Sequence, residues 1–394
     1  MPPSMIDITA VAAGGDGLGR DDDGRVVFVP GALPGESVAV ELTQRKKDYA
    51  RARIVEVVRP SADRVAPPCP FVAAGCGGCD WQHVDPTAQR RLKVAVVADA
   101  LRRQAHLDVA VGEGPDLSAT RYRTTLRGEA VDGRFGLRRR GSHEVVAVGP
   151  CLVAHPLVDE LVEHGRFPDG EVVLRAGPGT GERLVVVDGD PSSVEVPEGV
   201  RVVGKADLAA GRRAWFHDEL AGRRWRISAT SFFQARADGA EALVDAVRAS
   251  SEGALRAGGH VVDLYGGVGL FAGTVSEGCS VTMVEQSASS TADARVNLQD
   301  LDARIVRADV DHWGPAAADL VVADPPRAGL GAKAVSKVAA THAKRLVLVS
   351  CDPAALGRDA RLLGEAGFDL VSSRLVDLFP HTSHVEVVSR FDRR

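Results

Sequence analysis

The chain has 394 residues, room for two or three domains, with 45% hydrophobic and 26% charged residues, the balance of a soluble globular protein. No apolar run approaches the ~20 residues of a membrane span, and the opening "MPPSMIDITAVAAGGDG" lacks a basic region followed by an apolar core, so the cytoplasm is the expected location. A net charge of −5 does not mark a globally basic nucleic-acid binder, so contact with a polyanion would have to come from local patches.

Residues 1–60 read as short β segments, "MIDITAVA", "GRVVFVPGA", "ESVAVELTQ" and "YARARIVEVVR", separated by Gly and Asp clusters such as "AGGDGLGRDDDG". Strands at this spacing predict a small OB-like barrel. "PSADRVAPPCP" then reads as a linker, and "CPFVAAGCGGCDW" supplies Cys69, Cys76 and Cys79. "PTAQRRLKVAVVADALRRQ" has helical spacing of basic and apolar residues. The stretch to residue 226 is mixed, with strand-like "HEVVAVG", "GEVVLRAG" and "ERLVVVDGD" and a fourth clustered-type cysteine, Cys151. A central α+β domain over 61–226 is expected. Seven arginines lie between Arg121 and His143, and "GRRAWFHDELAGRRWR" interleaves arginines with Trp215, Phe216 and Trp225. Local positive charge beside flat side chains suits an RNA strand. A solvated surface over ordinary packed aromatics suits the same composition.

From residue 227 strands and helices alternate: "HVVDLYGG", "SVTMVEQ", "RIVRAD", "ADLVVADPPR" and "RLVLVSCD", with helical "SASSTADARVNLQDL" and "DPAALGRDARLLGEAG" among the connections. That rhythm predicts βαβ units and a parallel, Rossmann-like sheet over 227–394. Ligands of such sheets lie beyond the carboxyl ends of the strands. The residues at those ends are, in order, the glycine turn with Tyr265, Gly267 and Gly269, then Glu285, Asp309, Asp324 of "DPPR", and Cys351. Gly267-x-Gly269-x-x-Ala272 fits a loose nucleotide fingerprint, with Glu285 about 20 residues on for a ribose. The two prolines after Asp324 stiffen their loop. A thiol at such an edge suits nucleophilic chemistry. Carbon 5 of uracil is a poor nucleophile until a thiolate adds to carbon 6, and the reaction then needs a separate base. Glu386, in the last strand-like run "HTSHVEVVSRF", is the candidate, since a carboxyl in an apolar run is costly unless paired or functional.

Taken together, "SFFQ", "DLYGGVGLFA", "ADPPRAGL", "SCDPAALGRD" and "HVE" make the chain similar to the class I S-adenosylmethionine-dependent RNA 5-methyluridine methyltransferases, in the branch with an N-terminal TRAM domain. The resemblance implies a TRAM barrel at 1–60 and methylation of carbon 5 of a uridine in RNA, ribosomal RNA before transfer RNA. It implies Cys351 as nucleophile and Glu386 as base, with Gln234, Tyr265, Glu285 and Asp324 at the cofactor, Gln234 toward its methionine end. Asp309 would lie near the adenine, and Arg327 would face RNA or uracil. Clustered cytosolic cysteines suggest metal before disulfide, zinc or iron–sulfur. The resemblance implies a 4Fe-4S cluster on Cys69, Cys76, Cys79 and Cys151. Cys279 is expected in the core, and the protein is expected to be a monomer. The chain departs from the family pattern at Asp352, usually Asn, at Gly266 and Leu270, usually Cys and Asn, and in a first cysteine gap of six residues instead of five. Rival readings are a methyltransferase acting on a nitrogen or a small molecule, which needs no Cys351, and a non-catalytic RNA-binding protein.

Overall fold

The computed structural model describes residues 3–394. Five strands, β1 (Ser4–Val11), β2 (Gly17–Arg20), β3 (Val26–Val29), β4 (Ser37–Arg45) and β5 (Tyr49–Arg59), close into a barrel in the order β1-β2-β3-β5-β4. Alternate residues point inward, as the two-residue period of a strand requires: Ile6 and Ile8, Val27 and Val29, Val38 and Val40, Ala50 and Ala52 form its core. The Gly/Asp separator in the sequence hides a strand, β2. A side chain on Gly19 would meet Ile6 Cγ2 at 2.3 Å and the Asp7 carbonyl at 2.6 Å, so the barrel closes there only over glycine. The following segment is not slack: Arg64 donates to buried Glu36 at 2.5 and 2.9 Å and to the Gly31 carbonyl at 2.6 Å.

A short strand β6 (Val111–Glu113) precedes a second sheet built from β7 (Thr125–Val131), β8 (Arg134–Arg138), β9 (Val145–Ala147), β10 (Gly170–Ala176), β11 (Arg183–Val187) and β12 (Val200–Gly204), in the order β12-β11-β10-β7-β8-β9. The helix Pro156–His164 covers it with Val158, Leu161 and Val162. A hairpin follows, β13 (Trp215–Leu220) and β14 (Arg223–Ser228).

The remaining strands are β15 (His260–Leu264), β16 (Ser280–Glu285), β17 (Ala303–Arg307), β18 (Leu320–Ala323), β19 (Arg345–Ser350), β20 (Phe368–Leu375) and β21 (Val387–Arg393). With β6 they form one sheet ordered β17-β16-β15-β18-β19-β21-β20-β6. The five strands from β15 to β19 are parallel, whereas β21 runs antiparallel to both β19 and β20. Successive residues alternate between two cores: Val261, Val322 and Val347 face one, Val262, Val321 and Leu346 the other, the pattern of a sheet buried on both sides.

The chain does not keep to a boundary at 226. The helix Pro86–Ala105 sets Val97 and Leu101 into the second of these cores, and β6 pairs with β20, so residues 86–113 pack on the C-terminal sheet. Phe216, Trp225 and Ile227 of the β13–β14 hairpin likewise sit in its first core. No helix among the described residues is long and apolar enough to cross a membrane.

Candidate active site

The five parallel strands end at one edge, and their ends surround a cavity of about 790 Å3. Gln234, Tyr265, Gly267, Glu285, Asp309, Asp324, Arg327, Cys351 and Glu386 all line it. The antiparallel strand explains how residues 35 positions apart meet. Ser350, the last residue of β19, pairs with Val387, the first of β21, so the residues just beyond that pair, Cys351 after β19 and Glu386 before β21, emerge at the same edge. Glu386 thus lies just before the strand that the sequence pattern places it within.

The glycine turn and the acid after β16 are one unit. Tyr265 and Gly267 both take positive φ, 60° and 56°, and Gly267 N donates to Glu285 Oε2 at 3.0 Å while Ser287 N donates to Oε1 at 2.6 Å. The carboxylate is thereby aimed with lone pairs left for a ligand. Gly269 does not line the cavity. Its φ is 96°, and a side chain there would meet Leu298 at 2.9 Å, so it serves the turn and the packing beneath it. Asp309 accepts from Asp311 N at 2.8 Å and lines the cavity. Gln234 is buried, held on the segment between β14 and the helix Ala237–Ser251.

Burial pushes the Asp324 carboxyl up. Burial, then the neighbouring Asp324, pushes Glu386 well above the usual carboxylate range, with Arg327 opposing. Burial, then Glu386 and Asp324, pushes the Cys351 thiol up to about 12, again against Arg327. The free protein therefore holds a neutral thiol among carboxyls that compete to stay protonated. Charge relief from a bound cation would shift all three toward ionisation.

Cys69, Cys76, Cys79 and Cys151 line a second, apolar cavity together with Phe71, Leu126 and Val148. Burial raises the thiols of Cys76, Cys79 and Cys151, Cys79 to about 11, and neighbouring cysteines add to the rise. Among the described residues no three His, Cys, Asp or Glu side chains are close enough together to share one metal ion.

Several functional candidates carry no sequence signal of their own. Arg123 lines both cavities and has a buried Nε without a partner. Phe232 is 69% exposed at the mouth of the larger cavity, and Phe379 packs edge-on against His384 there at 6.0 Å. Asp263, fully buried, accepts from Ala272 N at 2.9 Å beneath the glycine turn. The basic–aromatic stretches are corrected by the structure: Phe216 and Trp225 are core residues, and half-buried Trp215 lies between Arg201 and Arg226 at 5.7 and 5.5 Å, so no exposed stacking face is left by the buried pair. Cys279 packs against the C-terminal core. Two departures from the family pattern have local causes. Asp352 caps the helix Pro353–Glu365 by accepting from Ala355 N at 2.7 Å. A side chain at Gly266 would meet Met283 Cγ at 2.5 Å.

Residues 5–55 match the family model for the TRAM domain, and residues 308–393 match that for tRNA (Uracil-5-)-methyltransferase. A protein of Streptomyces avermitilis described as an uncharacterized RNA methyltransferase is 38% identical over 98% of this chain and 96% of its own length. One of Streptomyces coelicolor with the same description is 37% identical over 98% and 91%. Among solved structures, the Pyrococcus abyssi tRNA (uracil-54, C5)-methyltransferase in complex with S-adenosyl-L-homocysteine superposes with a TM-score of 0.75, covering 98% of this chain and 99% of that one, at 23% identity, a likeness of fold.

Proposed function

The chain belongs to the S-adenosylmethionine-dependent RNA uracil-5 methyltransferases, and we propose that it methylates its uridine through a covalent adduct between Cys351 and carbon 6 of the base. S-adenosylmethionine supplies the methyl group when bound. The acids around the cavity suit it: Glu285, fixed by two backbone N–H groups, takes the ribose hydroxyls, Asp309 the adenine side, Gln234 the methionine end and Tyr265 the flank. Asp324 stands between donor and target, where a sulfonium charge would favour its ionised form.

The target base has to leave its stack to enter the cavity, and exposed Phe232 at the mouth offers it a flat surface. Cys351 passes its proton to the ionised Asp324 carboxyl, leaving Glu386 free, and adds to carbon 6, so the electron pair of the 5,6 double bond moves onto carbon 5 and its conjugated carbonyl. Carbon 5 takes the methyl group, and the methyl–sulfur bond breaks with its electron pair left on the donor's sulfur. Glu386 then takes the proton from carbon 5. That bonding pair re-forms the double bond as the Sγ–C6 bond breaks, and the thiolate returns. The observation that carries this reading is the adjacent emergence of Cys351 and Glu386 from paired antiparallel strands into one cavity.

The four-cysteine cavity fits a 4Fe-4S cluster held by Cys69, Cys76, Cys79 and Cys151. Its four thiols line one space, and an all-cysteine donor set is the one such a cluster takes. Anaerobically purified protein should carry iron with equal acid-labile sulfide; stoichiometric zinc without sulfide would overturn this assignment. The RNA is ribosomal in the reading the TRAM domain and cysteine cavity favour. The family model and the Pyrococcus abyssi protein are named for transfer RNA, which makes tRNA the second substrate to test. Purified protein given 5-fluorouridine ribosomal RNA and labelled donor should form a stable protein–RNA adduct that Cys351→Ala abolishes, because fluorine on carbon 5 cannot leave as a proton. Turnover retained by Cys351→Ala would exclude the covalent route.

A further inference from the structure

The loop between β20 and β21, which delivers Glu386, is closed on itself by Val376 N donating to the Glu386 carbonyl at 2.8 Å and is fastened from outside by residues distant in sequence. Asp80, next to Cys79, accepts from Ser383 N at 3.0 Å and from Ser383 Oγ at 2.7 Å. Trp81 N donates to the His381 carbonyl at 2.9 Å, and His381 N donates to Gln89 Oε1 at 2.6 Å. Tyr122 donates to the Pro380 carbonyl at 3.1 Å. Fully buried Lys93 donates to Asp377 at 2.7 Å and to the Phe379 carbonyl at 3.0 Å. The barrel meets the same point: Trp81 Nε1 donates to the Gly15 carbonyl at 3.2 Å, and a side chain on Gly15 would come within 2.6 Å of both Ser383 Cβ and Trp81 Nε1. Barrel, cysteine loop and base-bearing loop therefore converge on Ser383, three residues before Glu386.

We propose that Asp80 is a positioning residue for the general base, its paired hydrogen bonds to Ser383 setting the loop so that the Glu386 carboxyl faces carbon 5 of the methylated adduct. An ordinary brace, of which Lys93–Asp377 is an example, would loosen the whole fold when cut. Asp80 sits on the cysteine loop and bonds only the loop's far turn, so its loss moves the base relative to a nucleophile that is held separately at the end of β19. Nucleophilic addition and methyl transfer then proceed, and proton removal slows.

The inference rests on the covalent reading, and the experiment separates the two. Asp80→Ala, Asp80→Asn, Ser383→Ala and Glu386→Gln are compared with the wild-type chain for kcat, KM for the methyl donor, thermal midpoint, and protein–RNA adduct that carries labelled methyl and survives denaturant. Misplacing a reacting group by about 1 Å costs up to ~100-fold, so Asp80→Ala should lower kcat on the order of tenfold to a hundredfold. Its KM for the donor should hold, and methylated adduct should accumulate as it does in Glu386→Gln. Asp80→Asn, which keeps one acceptor oxygen, should recover most of the rate, and Ser383→Ala, which keeps the backbone bond, should show a smaller effect of the same sign. Wild-type turnover in Asp80→Ala, or a slowed variant without adduct while Glu386→Gln accumulates it, overturns the positioning role. Absence of adduct from Glu386→Gln as well overturns the covalent reading and this inference with it.

Discussion

Cys351 poses the sharpest question of the molecule, because the proposed covalent route needs a nucleophile there and the thiol is pushed up to about 12 by burial and by two carboxyls. The free enzyme should therefore alkylate slowly at Cys351, with a rate still climbing through pH 10, whereas an ordinary thiol levels off above ~9. S-adenosylmethionine and S-adenosylhomocysteine differ by one methyl group, and only the first carries the sulfonium charge. Mass spectrometry of the Cys351 peptide after iodoacetamide should thus show faster labelling with the first, and equal rates would remove the charge-relief argument. Glu285 is a second test. Changing it to Gln keeps the shape but loses the charge-assisted bonds, worth about 1.5–3 kcal/mol, so donor affinity measured by calorimetry should fall at least about tenfold. These positions were legible in the sequence because spacing from a strand end announces them. Arg123, Phe232 and Asp263 were not, since the first two matter through the cavity walls they form and Asp263 through the turn it supports from beneath, and a lone Arg, Phe or Asp carries no period.

Strands buried on both faces, such as β15 and β19, could be read directly from their continuous apolar runs. β2 could not: "GLGR" looks like a turn, and only the need to pass close to Ile6 and Asp7 makes it a strand. β20 and the antiparallel course of β21 were equally hidden, because direction within a sheet leaves no mark on composition, yet that direction is what brings Glu386 to Cys351. The linker after the barrel shows the same limit, since its anchor is one arginine. Burial alone would raise the Glu36 carboxyl, but Arg64 and the N–H groups of Leu33 and Ser61 outweigh it and hold it below its ordinary 4.5. A carboxyl depressed in the folded state adds stability that is fully present above the unfolded value and disappears as pH falls through the folded one. Glu36→Gln should therefore cost roughly 2–3 kcal/mol at pH 7, under the ~3–5 of a fully buried pair because Arg64 is partly solvated. The difference from wild type should shrink as urea titrations are moved below pH 4.5. A difference independent of pH would mean that packing, not the ion pair, holds the linker.

For the whole molecule the open matter is how a chain of net charge −5 holds RNA. The arginine-rich hairpin is a weak answer: Arg138 pairs with Glu129, Arg139 with Glu144 and Arg127 with Glu171, so much of its charge is already neutralised. The turn between β4 and β5 is different, for Lys46 and Lys47 are exposed there with no carboxylate within 4 Å among the described residues. Removing one cation that neutralises a phosphate lowers the salt dependence of binding by about one unit of slope. The double change Lys46→Ala and Lys47→Ala should then raise KM for RNA and cut that slope by about two. Saturating kcat should stay at the wild-type level, because neither residue approaches the cavity. Arg138→Ala should leave the slope nearly unchanged. The reverse result would move the RNA path from the barrel to the central sheet, and the barrel would then act on the reaction only by touching Trp81 and Ser383.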